Sequence, residues 1–181
     1  MRIISGQYKG KRLTAPKSLP VRPTTDFAKE ALFNILNHRI DFDDVKVLDL
    51  FAGTGNISYE FASRGAKEIT SVDADFGCIK YINATSDELS FPIRAIKSDV
   101  YKYVSSSAVG TFDLVFADPP YAFTIEQMES LVESLFANNW INEDGMLIIE
   151  HTKHIDLSPI LNFAEARKYG GSVFSFFQKE N

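Results

Sequence analysis

From residue 45 onward the chain alternates between two kinds of segment. Short apolar runs rich in β-branched residues predict strands over 45–50, 68–73, 93–98, 112–117 and 146–150. Stretches with apolar residues at helical spacing predict helices over 57–64, 76–89, 99–105 and 124–138, the first closed by Gly65. Strands joined through helices run parallel, and a parallel sheet needs a helical layer on each face. The expected fold is therefore α/β and Rossmann-like, with functional groups gathered at the carboxyl ends of the strands. The last part differs. Segments 164–169 and 172–177 flank Gly170-Gly171, a hairpin signal, so a mostly parallel seven-stranded sheet is expected to end in a C-terminal antiparallel hairpin.

Ahead of this repeat, segments 2–4 and 12–14 flank a polar stretch with Gly6 and Gly10, which predicts a small N-terminal β-hairpin. Pro16, Pro20 and Pro23 keep the following chain extended. A helix is expected from about residue 25, where Phe27, Ala31, Leu32, Ile35 and Leu36 recur at helical spacing behind Asp26 in the first turn. The reading is a basic arm over residues 1–24 and one larger domain over 25–181.

Charge supports that division. Residues 1–25 hold Arg2, Lys9, Lys11, Arg12, Lys17 and Arg22 and no acid, so this +6 arm leaves −11 on the remainder of a chain whose net charge is −5. An acidic body repels nucleic acid at long range, while a concentrated basic arm can engage phosphates. The arm, chiefly Arg2, Lys9, Lys11, Arg12 and Arg22, is the expected contact for nucleic-acid phosphates. The single cysteine, Cys78, can form neither an internal disulfide nor a zinc cluster by itself, in keeping with a reducing compartment. The N-terminus lacks the apolar stretch of a secretory signal, and no apolar run has the length of a membrane span. A cytoplasmic protein, acting as a monomer and away from membranes, is expected.

Two segments carry the chemistry. Asp49-Leu-Phe-Ala-Gly-Thr-Gly55 follows the first strand of the repeat, and its glycines permit positive φ and close approach of a ligand to backbone. A dinucleotide site would want a third glycine where Ser58 stands, which weakens a nicotinamide reading. Asp49, Phe51, Gly53 and Gly55 are assigned to a nucleoside cofactor, with Asp49 placed to meet an ammonium group. Asp73 ends the next strand, where a carboxylate can accept from ribose hydroxyls. Asp99 follows the third, where it can accept from an adenine amine while Val100 covers the ring, or can simply cap a helix. Asp75 is read as a helix cap.

Asp118-Pro-Pro-Tyr121 follows the strand over 112–117. A conjugated exocyclic amine is a poor nucleophile because its lone pair is delocalised into the ring. Hydrogen bonds from that amine to Asp118 and to the Pro119 carbonyl would localise the pair and stabilise the positive charge that grows on nitrogen. Tyr121, and less strongly Phe123, can stack on a base, and a paired base would have to be flipped out. Together the two segments point to methyl transfer from S-adenosylmethionine (AdoMet) to a nucleobase amine, without choosing adenine or guanine, DNA or RNA.

Five parallel strands with a terminal hairpin form the pattern of class I AdoMet-dependent methyltransferases. Within that class the chain closely resembles the bacterial small-subunit (16S) ribosomal RNA guanine-N2 methyltransferases. The likeness lies in Arg2-Ile-Ile-Ser-Gly6 with Lys9-Gly-Lys-Arg-Leu13, and in Arg22-Pro-Thr-Thr-Asp26 leading to Lys29-Glu-Ala-Leu-Phe-Asn34. It continues through residues 49–55, Ser63-Arg-Gly-Ala66, residues 112–121, Trp140 and residues 145–150. The resemblance implies methylation of one guanine N2 in 16S rRNA, within the small subunit or an assembly intermediate of it. It also implies that Arg22, Thr24 and Thr25 lie beside the cofactor or target base. Two departures stand out: Ile57-Ser58-Tyr59 after the glycine turn, and Asp73 where glutamate is usual. The alternatives are a DNA adenine-N6 methyltransferase and a non-catalytic ribosome-assembly or RNA-binding module. No metal is expected: Glu150, His151 and His154 lack the spacing of a zinc helix. Trp140, Phe174, Phe176 and Phe177 are read as packing residues.

Overall fold

The computed structural model describes residues 1–20, 24–108 and 110–179. In chain order the elements are α1 (Asp26–Leu36), β1 (Lys46–Leu50), α2 (Asn56–Ser63), β2 (Glu68–Asp73), α3 (Phe76–Leu89) and β3 (Ile93–Lys97). They continue as α4 (Val100–Val104), β4 (Phe112–Ala117), α5 (Ile125–Ala137), β5 (Ile141–Thr152), β6 (Phe163–Tyr169) and β7 (Ser172–Phe177). One seven-stranded sheet runs β3-β2-β1-β4-β5-β7-β6, with the first five strands parallel and β7 antiparallel to both β5 and β6.

Alternation along the strands builds both faces. Val47, Ile69, Leu114, Phe116 and Ile148 pack against Leu32 and Phe33 of α1 and Phe61 of α2. Their neighbours Leu48, Leu50, Val115, Ala117, Leu147 and Ile149 pack against Val100 and Val104 of α4 and Leu131 and Leu135 of α5. With both faces covered, the central strands carry apolar side chains at successive positions, which is why they read as continuous hydrophobic runs. Trp140 is buried, and its indole N–H donates to the Val104 and Ser106 carbonyls (each 3.1 Å). Phe174, Phe176 and Phe177 are buried in β7.

The strand order creates the crevice. From β1 the chain builds outward to β2 and β3, then returns to place β4 on the other side of β1. Helices therefore diverge above the carboxyl ends of β1 and β4, the position where ligands bind in open α/β sheets. Pairing of Leu50 with Ala117, and donation by the Asp118 N–H to the Leu50 carbonyl (3.3 Å), hold the two strand tips together.

Two expectations need adjustment. β5 begins five residues before the predicted 146 and ends at Thr152, because Ile141 pairs with Phe112 and a register shift carries the strand past Asn142, Glu143 and Asp144. Those polar residues and Gly145 read as a turn. The N-terminal hairpin is closed by a single antiparallel bridge, Arg2 to Arg12, instead of two extended strands. Burial of Ile3 and Leu13 against Tyr59, Ile82 and Leu89 docks it on α2 and α3. Gly6, with a φ of 84°, abuts the Ser63 carbonyl, where a Cβ has no room, so a side chain there would push the hairpin off α2. Among the described residues no helix is long and apolar enough to cross a membrane.

Candidate active site

A cleft of about 530 Å³ opens over the tips of β1, β2 and β4. β1 ends at Leu50, and Phe51 adopts a φ of 58°, a left-handed conformation uncommon for a bulky side chain. Gly53 and Gly55 follow with φ of 54° and 83°, and Gly55 is the N-cap of α2. A Cβ on Gly55 would come 2.8 Å from the Tyr59 ring, so the tyrosine fills the floor under the turn. Phe51, Ala52, Gly53, Thr54, Asn56 and Ile57 line the cleft. Gly55 shapes the turn without reaching the surface of the cleft.

Three carboxylates stand at successive strand ends, and all three line the cleft. Asp49 is 1% exposed and accepts from the Ser58 hydroxyl (2.5 Å), which itself sits 2.7 Å from the Ser71 hydroxyl. Burial raises its pKa to about 7, with the Ser58 hydrogen bond opposing that shift and nearby Asp73 adding to it. Asp73 accepts the Gly53 N–H (2.8 Å) on one oxygen and the Asp75 N–H (2.8 Å) on the other. It thereby ties the glycine turn to the start of α3. Asp75 caps α3 through Cys78 N–H (2.8 Å) and also lines the cleft, a second placement that its capping role had hidden. Asp99 caps α4 through Lys102 N–H (2.9 Å) while lining the same cleft, so capping is not its only exposure. Val100 beside it is buried but reaches the wall.

The opposite wall is the segment after β4. Asp118, Pro119, Pro120, Tyr121 and Phe123 all line the cleft, together with Phe116. Tyr121 is 48% exposed, and Phe123 stands edge-on to Phe51 with ring centroids 5.4 Å apart. The glycine turn and the proline turn thus meet through one aromatic pair. Thr24 and Pro20 reach the rim from the N-terminal side. The Thr25 hydroxyl accepts the Ala28 N–H (3.2 Å) as N-cap of α1 and is not among the lining residues. Arg22 lies outside the described residues. Arg2 and Lys9 line a second, smaller cleft with Arg64, Glu30 and Asn34. Arg2 pairs with Asp26 (3.6 Å) and Lys11 with Glu88 (2.8 Å), while Lys9 and Arg12 make no ion pair among the described residues. Thr54, Asn56 and Ala74 are cleft residues that motif reading passed over, although they directly adjoin positions it selected.

The lining fits a nucleoside with a charged tail: carboxylates for hydroxyls and an amine, aromatic and aliphatic walls for a ring, and a volume within the range of small-molecule sites. Cys78 is buried and its thiol is pushed up to about 12 by burial, which leaves no reactive thiolate nearby. Among the described residues no group of three or more His, Cys, Asp or Glu could hold a metal ion.

A parallel sheet in this order, finished by an antiparallel β7 and carrying its cleft over β1 and β4, is the fold of class I AdoMet-dependent methyltransferases, and enzymes of that class take their methyl group from AdoMet. Residues 1–178 match the family described as conserved hypothetical protein 95. The chain belongs to that family, the RsmD family of methyltransferases. The Escherichia coli K12 ribosomal RNA small subunit methyltransferase D is 33% identical over 157 residues, spanning 83% of this chain and 74% of the relative. Its Haemophilus influenzae namesake is 30% identical over 192 residues, spanning 100% and 94%. The solved structure of the Escherichia coli protein yhhF superposes with a TM-score of 0.85 at 27% identity, covering 100% of this chain and 98% of that one.

Proposed function

We propose that this methyltransferase transfers a methyl group to the exocyclic N2 of a guanine in 16S ribosomal RNA, on the small subunit or one of its assembly intermediates. One observation carries the reading: Asp118 and the proline turn share a single cleft with Asp49, Asp73 and Asp99, at or just beyond the ends of β1, β2 and β3. AdoMet supplies a methyl carbon on a cationic sulfur, which keeps the electron pair when that bond breaks. Asp49 meets the ammonium of its methionine part, Asp73 its ribose, and Asp99 with Val100 its adenine. Phe51 and Gly53 form the surface beneath, Gly55 shapes their turn, and Thr24, next to the α1 cap Thr25, closes the rim.

The flipped guanine enters against Tyr121 and Phe123. Asp118 and the Pro119 carbonyl accept its two amine hydrogens, concentrate the nitrogen lone pair, and stabilise the charge that develops there. The proton released as the nitrogen takes the methyl group passes to Asp118 and on to solvent. Residues 1–24 form the RNA-contacting part. Within it Lys9 and Arg12, which have no ion pair among the described residues, are offered to phosphates together with Arg2, Lys11 and Arg22. The relatives named ribosomal RNA small subunit methyltransferase D supply the substrate class, at about one-third identity.

The test is transfer of tritium from methyl-labelled AdoMet to purified small subunits or precursor particles. The expected result is labelling of 16S rRNA. Asp118→Ala should lower the rate by about 100-fold or more while leaving AdoMet affinity within about threefold, since the lost interaction acts on the target amine. A protein that binds subunits and never transfers label would instead be an assembly module.

A further inference from the structure

Lys29 sits on α1 and is 1% exposed. Its ammonium donates to the Arg2 carbonyl (2.5 Å) and to Asn56 Oδ1 (2.8 Å), and lies 3.5 Å from Glu60 Oε2. Three donors thus meet three acceptors. Glu60 of α2, fully buried, also accepts the backbone N–H groups of Ile4 (2.8 Å) and Ser5 (3.0 Å) and the Arg64 guanidinium (2.9 Å). A buried ion pair is weak evidence for stability, since apolar residues of similar volume often serve as well.

The directionality of the bonds points to another role. An ammonium only donates, so Asn56 must turn its oxygen to Lys29 and its NH₂ towards Thr24, whose carbonyl accepts from Nδ2 at 3.1 Å. Asn56 and Thr24 both line the main cleft. Thr24 is held from its other side as well: its hydroxyl donates to Glu150 Oε2 (3.0 Å), and Glu150 Oε1 accepts from Ser172 (2.7 Å). One continuous set of hydrogen bonds therefore runs from the N-terminal hairpin, through Lys29, to the cleft wall and the β5–β7 pair.

We propose that Lys29 is a positioning residue: it orients the Asn56 amide and through it Thr24, so that docking of residues 1–13 sets the shape of the cleft wall. The inference rests on reading the cleft as the AdoMet and nucleotide site. It is tested in the full chain by calorimetric titration with S-adenosylhomocysteine, alongside urea unfolding. Lys29→Met keeps an unbranched apolar stem one atom shorter than lysine and leaves Glu60 with Arg64 and two backbone donors. Asn56→Leu removes the same link from the other end. Each substitution is expected to weaken binding by about tenfold, as displacement of a binding wall does. The double variant should bind within about twofold of either single one, because both break one linkage. Lys29→Arg, which keeps the donors, should recover to within about threefold of the unaltered chain.

Folded Lys29→Met that binds as tightly as the unaltered chain, or single losses that multiply in the double variant, would overturn the inference. Should Lys29→Met fail to fold, Asn56→Asp decides the matter. It keeps the acceptor for Lys29 and replaces the donor to Thr24 with a charged oxygen that the Thr24 carbonyl repels, so a loss of about tenfold or more is expected in the folded variant, and unchanged binding would overturn it. Failure of the unaltered chain to bind S-adenosylhomocysteine would sink the reading of the cleft as well, whereas equal binding by all chains sinks this inference alone.

Discussion

Burial and one hydroxyl partner decide the charge on Asp49. The folded carboxyl has its pKa raised to about 7 from 3.8, chiefly by desolvation, so between those values the folded protein holds a proton that the unfolded chain releases. Stability of the ligand-free protein accordingly falls as pH rises through that window. An ammonium placed beside Asp49 favours the carboxylate, so binding of S-adenosylhomocysteine should expel the proton. Affinity is expected to rise up to about tenfold from pH 6 to pH 8, with close to one proton released at pH 6 and almost none at pH 8. Calorimetry in buffers of different ionisation enthalpy measures both. Asp49→Asn should flatten the profile as well as weaken binding. A flat profile in the unaltered protein would remove Asp49 from the site. Sequence placed Asp49 at a strand tip, but Ser58, which bonds to it, and Ser71, which bonds to Ser58 in turn, come from α2 and β2 and were chosen by no local pattern.

At the scale of elements, the turn between β1 and α2 does the most with the fewest residues. Gly55 combines a φ of 83° with a Cβ position 2.8 Å from the Tyr59 ring, whereas Gly170, with a φ of 62°, has open surroundings with only Phe27 at 4.0 Å. Gly170→Ala should therefore cost about 1 kcal/mol, the left-handed backbone penalty alone. Gly55→Ala adds overpacking against Tyr59 and should cost about 2–4 kcal/mol by urea unfolding. Equal losses would mean that Tyr59 yields freely and does not support the turn. Elements such as β2, α3 and β4 were legible because periodicity, length and punctuation agree in each. The start of β5 was not, because Asn142, Glu143 and Asp144 imitate a turn while ladder pairing through Ile141 keeps them in the strand. The buried Lys29–Glu60 pair was equally hidden. It joins α1 to α2 across 30 intervening residues, and nothing local distinguishes its members from surface charges.

Across the whole molecule, charge and topology divide the labour. The sheet order brings the glycine turn and the proline turn to adjacent strand tips, so the two motifs read separately in the sequence line one cleft. Residues 1–13, with Arg2, Lys9, Lys11 and Arg12, sit on α2 and α3 of an otherwise acidic body, docked through Ile3 and Leu13 and hydrogen-bonded to Glu60. Such an arrangement favours a substrate that offers phosphates to one small region and a single base to the cleft, as folded ribosomal RNA does. The most direct measurement is nucleoside analysis by mass spectrometry after the purified protein has reacted with AdoMet and small subunits lacking the modification. One N2-methylguanosine per 16S rRNA, absent with Asp118→Ala, is the expected result. N6-methyladenine in DNA offered in the same reaction, in place of the methylated guanine, or no methylated nucleoside despite bound cofactor and subunit, would contradict the account.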